Sequence, residues 1–168
     1  MSRSGDSLLV CAGVAFLLAS VSVAAEDAAK SASDIRVQNI EVRLSQAGPV
    51  VLLKVRNKAV PVFVDALVAE SIQGALTGEK PPRPLSHDLM HTVLDALDAR
   101  VSQVVITFKA GIYYGALSVV SGKSVKVFDS RSSDAIALAI RFKAPILVSE
   151  ELLDSVGVEL PEPRVKEL

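Results

Sequence analysis

The sequence predicts an α+β fold, in which helices pack on a mixed or antiparallel sheet in a single domain. Strand-like segments come first, helical segments follow and strand-like segments then return, whereas a doubly wound α/β protein would alternate the two. Half of the 168 residues are hydrophobic, which is enough for one domain with a substantial core. Because the chain has no Trp, two Tyr and five Phe, Val, Ile, Leu and Ala must build that core.

The charge composition limits how the chain could bind nucleic acid. The formal net charge is −1, and no long block of one charge sign occurs. The overall charge therefore does not indicate a protein that binds nucleic acid through a broadly basic surface. Any site for nucleic acid would have to be a local basic patch.

The first segment, residues 1–25, is typical of a signal peptide. An apolar run follows Arg3, and small residues precede Glu26, where we expect cleavage. This predicts an extracytoplasmic protein, periplasmic or secreted. The alternative is an uncleaved anchor, because the apolar run 8–25 has 18 residues, the lower limit for spanning a bilayer. Cleavage would also remove Cys11, the single cysteine, and with it any disulfide or thiolate chemistry.

The predicted domain begins with strands. Residues 26–34 are small and polar and indicate a flexible spacer. Residues 35–44 alternate apolar and polar side chains, which predicts a strand. Residues 50–55 are almost continuously apolar, which is typical of a central strand buried on both faces. Residues 60–65 predict a third strand, which Pro61 would push towards a sheet edge or a bulge.

Two helices should follow. Residues 66–77 have helical periodicity, and Gly78 is a suitable C-terminal cap. Three prolines within residues 81–84 predict a stiff connection, and Ser86 is a good N-cap for the second helix. The apolar residues of that helix at helical spacing are Leu89, Val93, Leu94 and Leu97.

The last section returns to strands. The predicted elements are strands 101–108, 112–120 and 124–129, a helix 133–142, a strand 146–148 and a short helix 150–155. We place the domain at residues 35–158 and expect residues 159–168 to form a loose tail.

The pair His87-Asp88 is the first candidate for chemistry, and it lies close in sequence to Lys80 and Arg83. A histidine can act as a base near neutral pH, and a carboxylate can bind a metal or orient the ring. Adjacent helix positions do not face each other, so the pair cannot form a simple dyad. The alternative is that Ser86 and Asp88 cap the helix while His87 points to solvent.

Asp129, Arg131 and Asp134 form the second candidate cluster. Asp129 ends a predicted strand and Asp134 starts a helix, so both carboxylates could lie at one rim and bind a hard divalent ion. Such an ion could activate water for attack on a phosphodiester. The alternative is that Ser132 or Ser133 caps the helix, Asp134 meets the helix dipole and Arg131 pairs with a carboxylate.

Three segments resemble the bifunctional nuclease family, whose domain is known as the BFN domain. They are EKPPRPLSHDLMHTVLDAL, RVSQVVITFKAGIYYGAL and DSRSSDAIALAIRFKAPILVSEELLDSVGV. The resemblance covers about residues 35–158 and implies an α+β domain associated with DNase and RNase activity.

The family motifs map onto two elements of this chain. The residues that match the first are Pro81, Pro82, Arg83, Pro84, Ser86, His87 and Asp88. The residues that match the second are Asp129, Arg131, Ser133, Asp134 and Ala135. The chain departs from the family at Ser132, where proline is usual, and in its signal segment, which many relatives lack.

These observations lead to one hypothesis, an exported, metal-assisted nuclease that hydrolyses phosphodiester bonds of DNA, RNA or both, with Mg²⁺ or Mn²⁺ as the ion. The catalytic residues would be His87, Asp88 and Asp134. The metal ligands would be Asp129 and Asp134. The phosphate-binding residues would be Lys80, Arg83 and Arg131.

A second hypothesis comes from another class of protein, a non-catalytic extracytoplasmic binding module on the same fold. The near-neutral charge favours it. Convergence of the acids and arginines in one cleft would favour the enzyme, and dispersal over separate helix starts would favour the module. Exposed strands near Pro61 leave room for a homodimer, and membrane contact is expected only through residues 8–25 if they are retained.

Overall fold

The structure, a computed structural model, describes residues 34–160. The predicted signal peptide, nearly all of the predicted spacer and most of the predicted tail lie outside these residues. The helices are α1 (Ala66–Thr77), α2 (Ser86–Ala96), α3 (Ser132–Phe142) and α4 (Glu150–Val156). The strands are β1 (Asp34–Arg36), β2 (Asn39–Ser45), β3 (Gly48–Val55), β4 (Lys58–Phe63), β5 (Ala99–Lys109), β6 (Ile112–Ser121), β7 (Ser124–Arg131), β8 (Ile146–Ser149) and β9 (Val158–Glu159).

The strands form two sheets. One has five strands in the order β1-β8-β5-β6-β7, and it is antiparallel except for the parallel pair β5 and β8. The other has four antiparallel strands in the order β2-β3-β4-β9. The predicted α+β class, with mixed or antiparallel sheets and packed helices, is confirmed.

The prediction of one strand over residues 35–44 is wrong. The segment divides into β1 and β2, which belong to different sheets. The backbone changes partners between them, because the Val37 N–H donates to the Ile146 carbonyl and the Gln38 N–H donates to the Lys54 carbonyl. An alternating pattern specifies extended backbone but does not specify one partner strand.

Strand β3 lies between β2 and β4, as predicted for residues 50–55. Val51, Leu53 and Val55 are fully buried, but Leu52 and Lys54 on the other face are partly exposed. Burial on both faces is therefore wrong for this strand. Pro61 lies on β4 beyond the two residues that pair with β9, in a part that has no second partner strand among residues 34–160. Its predicted edge position is confirmed.

The core places α3 against the five-stranded sheet. Buried side chains of α3, including Ile136 and Leu138, join a single apolar cluster with Val104 and Ile106 of β5. The helix approaches β6 closely at Gly115, where an added Cβ would lie 2.7 Å from the Cβ of Ala135. The sheet therefore fixes the start of α3. None of the helices in residues 34–160 is long and apolar enough to cross a membrane.

Candidate functional site

The first turn of α2 is stabilised by an acidic side chain. Leu85 occupies the N-cap position, so the prediction of Ser86 as the N-cap is wrong by one residue. The Oδ2 atom of Asp88 accepts the backbone N–H of Leu85 at 2.9 Å, which satisfies one of the free donors at the helix start. Part of the capping alternative for Asp88 is thus confirmed.

The start of α3 differs from the predicted serine cap. Arg131 is the N-cap residue and no side chain caps the helix there, while Ser132 and Ser133 are both buried. Capping by either serine is therefore wrong. Asp134 lies in the first helical turn, where its negative charge interacts favourably with the helix dipole.

Asp134 is held by two cationic or polar partners. Arg131 binds it in a bidentate manner, with Nε 2.8 Å from Oδ2 and Nη2 2.9 Å from Oδ1. The Nε2 atom of His87 lies 3.2 Å from the same Oδ1. The guanidinium of Arg131 is largely exposed, and its Nη1 lies 3.9 Å from a carboxylate oxygen of Asp65. The two family segments therefore meet at this carboxylate.

His87 is buried, so the alternative in which it points to solvent is wrong. Its Nδ1 lies 3.0 Å from the Oγ of Ser71 on α1. That oxygen also accepts a hydrogen bond from Nη2 of Arg141 at 2.8 Å, so the Ser71 hydroxyl proton is free to be donated to Nδ1. This arrangement assigns the remaining ring proton to Nε2, which donates it to Asp134.

Arg141 is the residue of this network that the sequence analysis missed. Its Nε donates to Oδ1 of Asp88 at 2.9 Å, and its other nitrogens donate to Ser71 on α1 and to the Ala137 carbonyl on α3. The side chain is only 8% exposed, which is rare for a charged group without a partner. Its position between apolar residues of a predicted helix could have indicated that it is buried. No comparable feature of the sequence marked Ser71.

The surroundings of both carboxylates favour their charged forms. Burial raises the pKa of Asp134, but hydrogen bonds from Arg131 and His87 outweigh burial and leave the pKa below its ordinary value. Burial likewise raises the pKa of Asp88, while the Leu85 N–H and Arg141 lower it by more. Asp134 raises the pKa of Arg131 in turn. The site therefore holds an ionised carboxylate at each of the two helix starts.

Asp129 does not join this cluster. It pairs with Ala116 across β6 and β7, so the two side chains lie on the same face of the sheet. The next residue, Gly115, faces α3, and neighbouring strand residues point to opposite faces. Asp129 therefore lies on the side of the sheet opposite to α3 and Asp134.

Lys80 and Arg83 lie in the exposed connection between α1 and α2. Lys80 lines a groove of about 1030 Å³ whose wall also includes Asp88 and Arg141. The structure thus brings His87, Asp134 and Arg131 together and links Asp88 to them through Arg141 and Ser71. Lys80 lies in the same groove as Asp88 and Arg141, and Arg83 is exposed in the connection.

The described residues do not fit a metal centre at the two predicted ligands. Within residues 34–160, no group of three or more His, Cys, Asp or Glu side chains could hold a metal ion. Both oxygens of Asp134 are engaged by Arg131 and His87, and the guanidinium charge would repel a cation there. Ligation by Asp129 and Asp134 stays a prediction.

The fold and the site together define a class: an α+β domain in which a buried histidine joins two helix starts through ionised carboxylates and arginines. The family model described as "Bifunctional nuclease domain" matches residues 50–161. The chain belongs to this family, and the predicted membership is confirmed. Strands β1 and β2 precede the matched residues and pair with β8 and β3.

Several known proteins are similar to this chain. An uncharacterised protein of Mycobacterium tuberculosis is 33% identical over 132 residues, which cover 77% of this chain and 79% of that protein. Bifunctional nuclease 2 of Arabidopsis thaliana is 33% identical over 104 residues, covering 60% of this chain and 32% of the plant protein. Bifunctional nuclease 1 of the same plant is 31% identical over 121 residues, covering 68% and 37%.

Proposed function

We propose that this chain is a nuclease that hydrolyses phosphodiester bonds of DNA, RNA or both. The observation that carries the proposal is the ionised carboxylate of Asp134, held between the exposed guanidinium of Arg131 and the buried ring of His87. Membership of the bifunctional nuclease domain family and similarity to two plant proteins named bifunctional nucleases support it.

Arg131 is the group in this network best placed to bind a phosphate. Its side chain is 67% exposed, and a guanidinium forms two parallel hydrogen bonds to phosphate as readily as to carboxylate. A substrate phosphate would therefore compete with Asp134 for Arg131. Binding of substrate would bring the phosphorus atom to the carboxylate and at the same time release the carboxylate oxygens.

Released Asp134 would serve as the proton acceptor. Without Arg131 the pKa of Asp134 rises, because the Arg131 hydrogen bonds that lower it are lost, and the carboxylate becomes a better base. A water molecule then attacks phosphorus and gives its proton to Asp134, the bond from phosphorus to the leaving oxygen breaks, and that oxygen takes a proton from solvent. His87 would act through Asp134, since both ring nitrogens are already occupied.

Metal dependence is a separate part of the proposal. It rests on kinship with nucleases, because a divalent ion stabilises the charge that develops in phosphodiester hydrolysis. No step above depends on it, since the described residues supply no ligand set. Assays with Mg²⁺, with Mn²⁺ and with EDTA separate this part from the rest.

Export is a further part of the proposal and rests on residues 1–25 alone. A cleaved signal peptide would place the nuclease in the periplasm or outside the cell. Expression of the full chain followed by mass spectrometry of the exported protein tests this, with an N-terminus at Glu26 as the expected result. A product retained with Met1 in the membrane would instead support the anchor.

The decisive experiment compares two Asp→Asn variants on opposite sides of the sheet. Fluorescent single-stranded DNA and RNA are incubated with the purified chain, with Asp134→Asn and with Asp129→Asn. We expect Asp134→Asn to lose at least 100-fold in rate, as the removal of a general base does. A folded Asp134→Asn protein that cleaves at the wild-type rate would refute the proposed site, and loss in Asp129→Asn would support the metal hypothesis.

The binding module is the second candidate, and one observation favours it. Both ring nitrogens of His87 and both carboxylate oxygens of Asp88 have partners within the chain, as they would in a purely structural network. The same assay separates the two. Retention of labelled nucleic acid without cleavage, by a folded protein under all three ion conditions, would support a non-catalytic binding module.

A further inference from the structure

The outer face of the five-stranded sheet, on the side opposite to α3, has a depression beside Arg131. Tyr114 of β6 is the residue directly opposite Arg131 of β7 in the strand register. Residues opposite each other in an antiparallel pair project on the same face, with their Cβ atoms about 5 Å apart. The Tyr114 side chain therefore begins beside Arg131, whose guanidinium binds Asp134. The outer face is thus continuous with the candidate site.

The depression has room for one nucleotide. Its volume is about 470 Å³, and sites for small molecules have volumes of about 300–1,000 Å³. It opens between Tyr114 and Asp129, and Lys109 of β5 lies at its other side. Tyr114 and Asp129 are diagonal neighbours across β6 and β7, which separates their backbones by about 7–8 Å. A flat heterocycle fits a gap of that width.

The groups around the depression have no partners that a ligand would need to displace. Within residues 34–160, no side-chain hydrogen bond or ion pair engages Asp129 or Lys109, and the Tyr114 ring makes no contact with another aromatic ring. The neighbouring Tyr113 differs, because its ring centroid lies 4.8 Å from that of Phe108. The side chain of Tyr114 is 37% exposed. An exposed ring, a carboxylate and an ammonium group therefore face one depression.

We propose that this depression binds a guanine base of single-stranded nucleic acid, next to the phosphate that Arg131 holds. This base site rests on the proposed nuclease function, because the substrate of that reaction supplies the phosphate. The base stacks on the ring of Tyr114, as bases do on aromatic side chains in other single-strand sites. Lys109 binds the phosphate on the other side of the same nucleotide.

The carboxylate of Asp129 selects guanine among the bases. A carboxylate only accepts hydrogen bonds, and it has two oxygens to accept them. The Watson–Crick edge of guanine presents two adjacent donors, N1–H and the N2 amino group, whereas every other base presents one donor group there. In a duplex these edges are paired, and only a single strand offers them to a protein. The substrate class is therefore single-stranded DNA or RNA that contains guanine.

Cleavage of two matched oligonucleotides by the full chain tests this selection. Both are single strands of thymines with one purine, which is guanine in one strand and inosine, which lacks the N2 amino group, in the other. The wild type should cleave next to guanine about tenfold faster, because inosine loses one of the two hydrogen bonds. Asp129→Ala should cleave both strands equally. Asp95→Ala, which removes an exposed carboxylate from α2, should keep the wild-type ratio.

Equal cleavage of the two strands by the wild type would overturn the proposal. So would an unchanged ratio in Asp129→Ala. A loss in Asp129→Ala by the same factor on both strands is the result that metal ligation by Asp129 predicts, and it would also exclude the base site.

NMR spectroscopy gives a second measurement that requires no cleavage. The chain has two tyrosines, so Tyr113 is an internal reference for Tyr114. Guanosine 5′-monophosphate should shift the ring signals of Tyr114 but not those of Tyr113, and cytidine 5′-monophosphate should shift them much less. Tyr114→Leu assigns the signals. Equal shifts with both nucleotides, or no shift with either, would overturn the proposal. Selective shifts in a chain that cleaves no nucleic acid would refute the nuclease function and support the base site.

Discussion

The Nε2 atom of His87 lies 3.2 Å from Oδ1 of Asp134, although 47 residues separate them in the sequence. This contact joins the first turns of α2 and α3. Each start also carries an acidic side chain bound to an arginine, Asp88 to Arg141 and Asp134 to Arg131. Ser71 completes the connection, because its hydroxyl lies between His87 and Arg141. The site is therefore one continuous chain of hydrogen bonds.

Ser71→Ala should destabilise the protein by about 1–3 kcal/mol, the usual cost of leaving a buried polar group without a partner. The Nδ1 atom of His87 would lose its donor, while Arg141 would keep the Ser71 carbonyl at 3.1 Å. Urea unfolding monitored by circular dichroism measures the change. Ser155→Ala, which removes an exposed hydroxyl of α4, should change the free energy of unfolding by less than about 0.5 kcal/mol.

The same contacts predict the tautomer of the histidine ring. In ¹⁵N NMR, the neutral form of the His87 ring should carry its proton on Nε2, since Nδ1 accepts from Ser71 and Nε2 donates to Asp134. Ser71→Ala should weaken this preference. A wild-type ring protonated on Nδ1 alone would contradict the assigned direction of the network.

Arg141→Met should destabilise the protein by about 2–4 kcal/mol. Removing one partner of a buried ion pair leaves the other charge without a partner. The destabilisation is smaller than for a fully buried pair, because the Asp88 side chain is one-third exposed. Lys143→Met is the matched control, since Lys143 is exposed on the same segment. Adding Asp88→Asn to Arg141→Met should cost less than the sum of the single changes, because the two side chains interact directly. Strict additivity would show that they are not coupled.

Local signals predicted much of the fold. The helix over residues 66–77 and its end at Gly78 agree with the structure, because Gly78 adopts the left-handed conformation with φ of 79°. The hairpin joining β5 and β6 also follows from a local turn, at Lys109 to Gly111. Such features depend on residues adjacent in sequence. A single chain therefore carries enough information to locate them.

The candidate site could be predicted only in part. Both family segments were identified, but their contact at His87 and Asp134 depends on how α3 packs on the sheet, which no local pattern encodes. The position of Asp129 relative to α3 could not be predicted from local patterns either. Strand alternation separates Asp129 from Ser130, but only the packed structure shows that α3 covers the Gly115 side. Arg141 was missed because its partners come from three helices.

Acid should destabilise the protein through the two site carboxylates. The pKa values of Asp88 and Asp134 are lower in the folded protein than their ordinary value of 3.8. The folded state therefore binds fewer protons than the unfolded state around that pH. The stability that these two carboxylates contribute is fully present above about pH 4, and it is lost as the pH falls through their lower pKa values in the folded protein. Urea unfolding between pH 2 and pH 7 measures the effect.

The double variant Asp88→Asn, Asp134→Asn tests the origin of this acid sensitivity. It should be less stable at neutral pH but should lose less stability on acidification than the wild type. Some sensitivity should remain, because hydrogen bonds from Arg43 and Lys54 lower the pKa of Glu41 from 4.5 to about 2. Identical pH profiles of the wild type and the double variant would show that the site carboxylates do not cause the acid loss.

Gly115→Ala should destabilise the protein by about 1–3 kcal/mol, as overpacking of a close contact does. The added Cβ would lie 2.7 Å from the Cβ of Ala135, so α3 must move off the sheet, and the neighbouring Asp134 would move with it. We therefore expect cleavage activity to fall together with stability.

Ala116→Ser, which adds one atom on the opposite face of β6, is the control. Ala135→Gly in the Gly115→Ala background should recover part of both losses, although glycine in a helix itself costs about 1 kcal/mol. If Ala135→Gly recovers neither, the contact of α3 with β6 does not position Asp134.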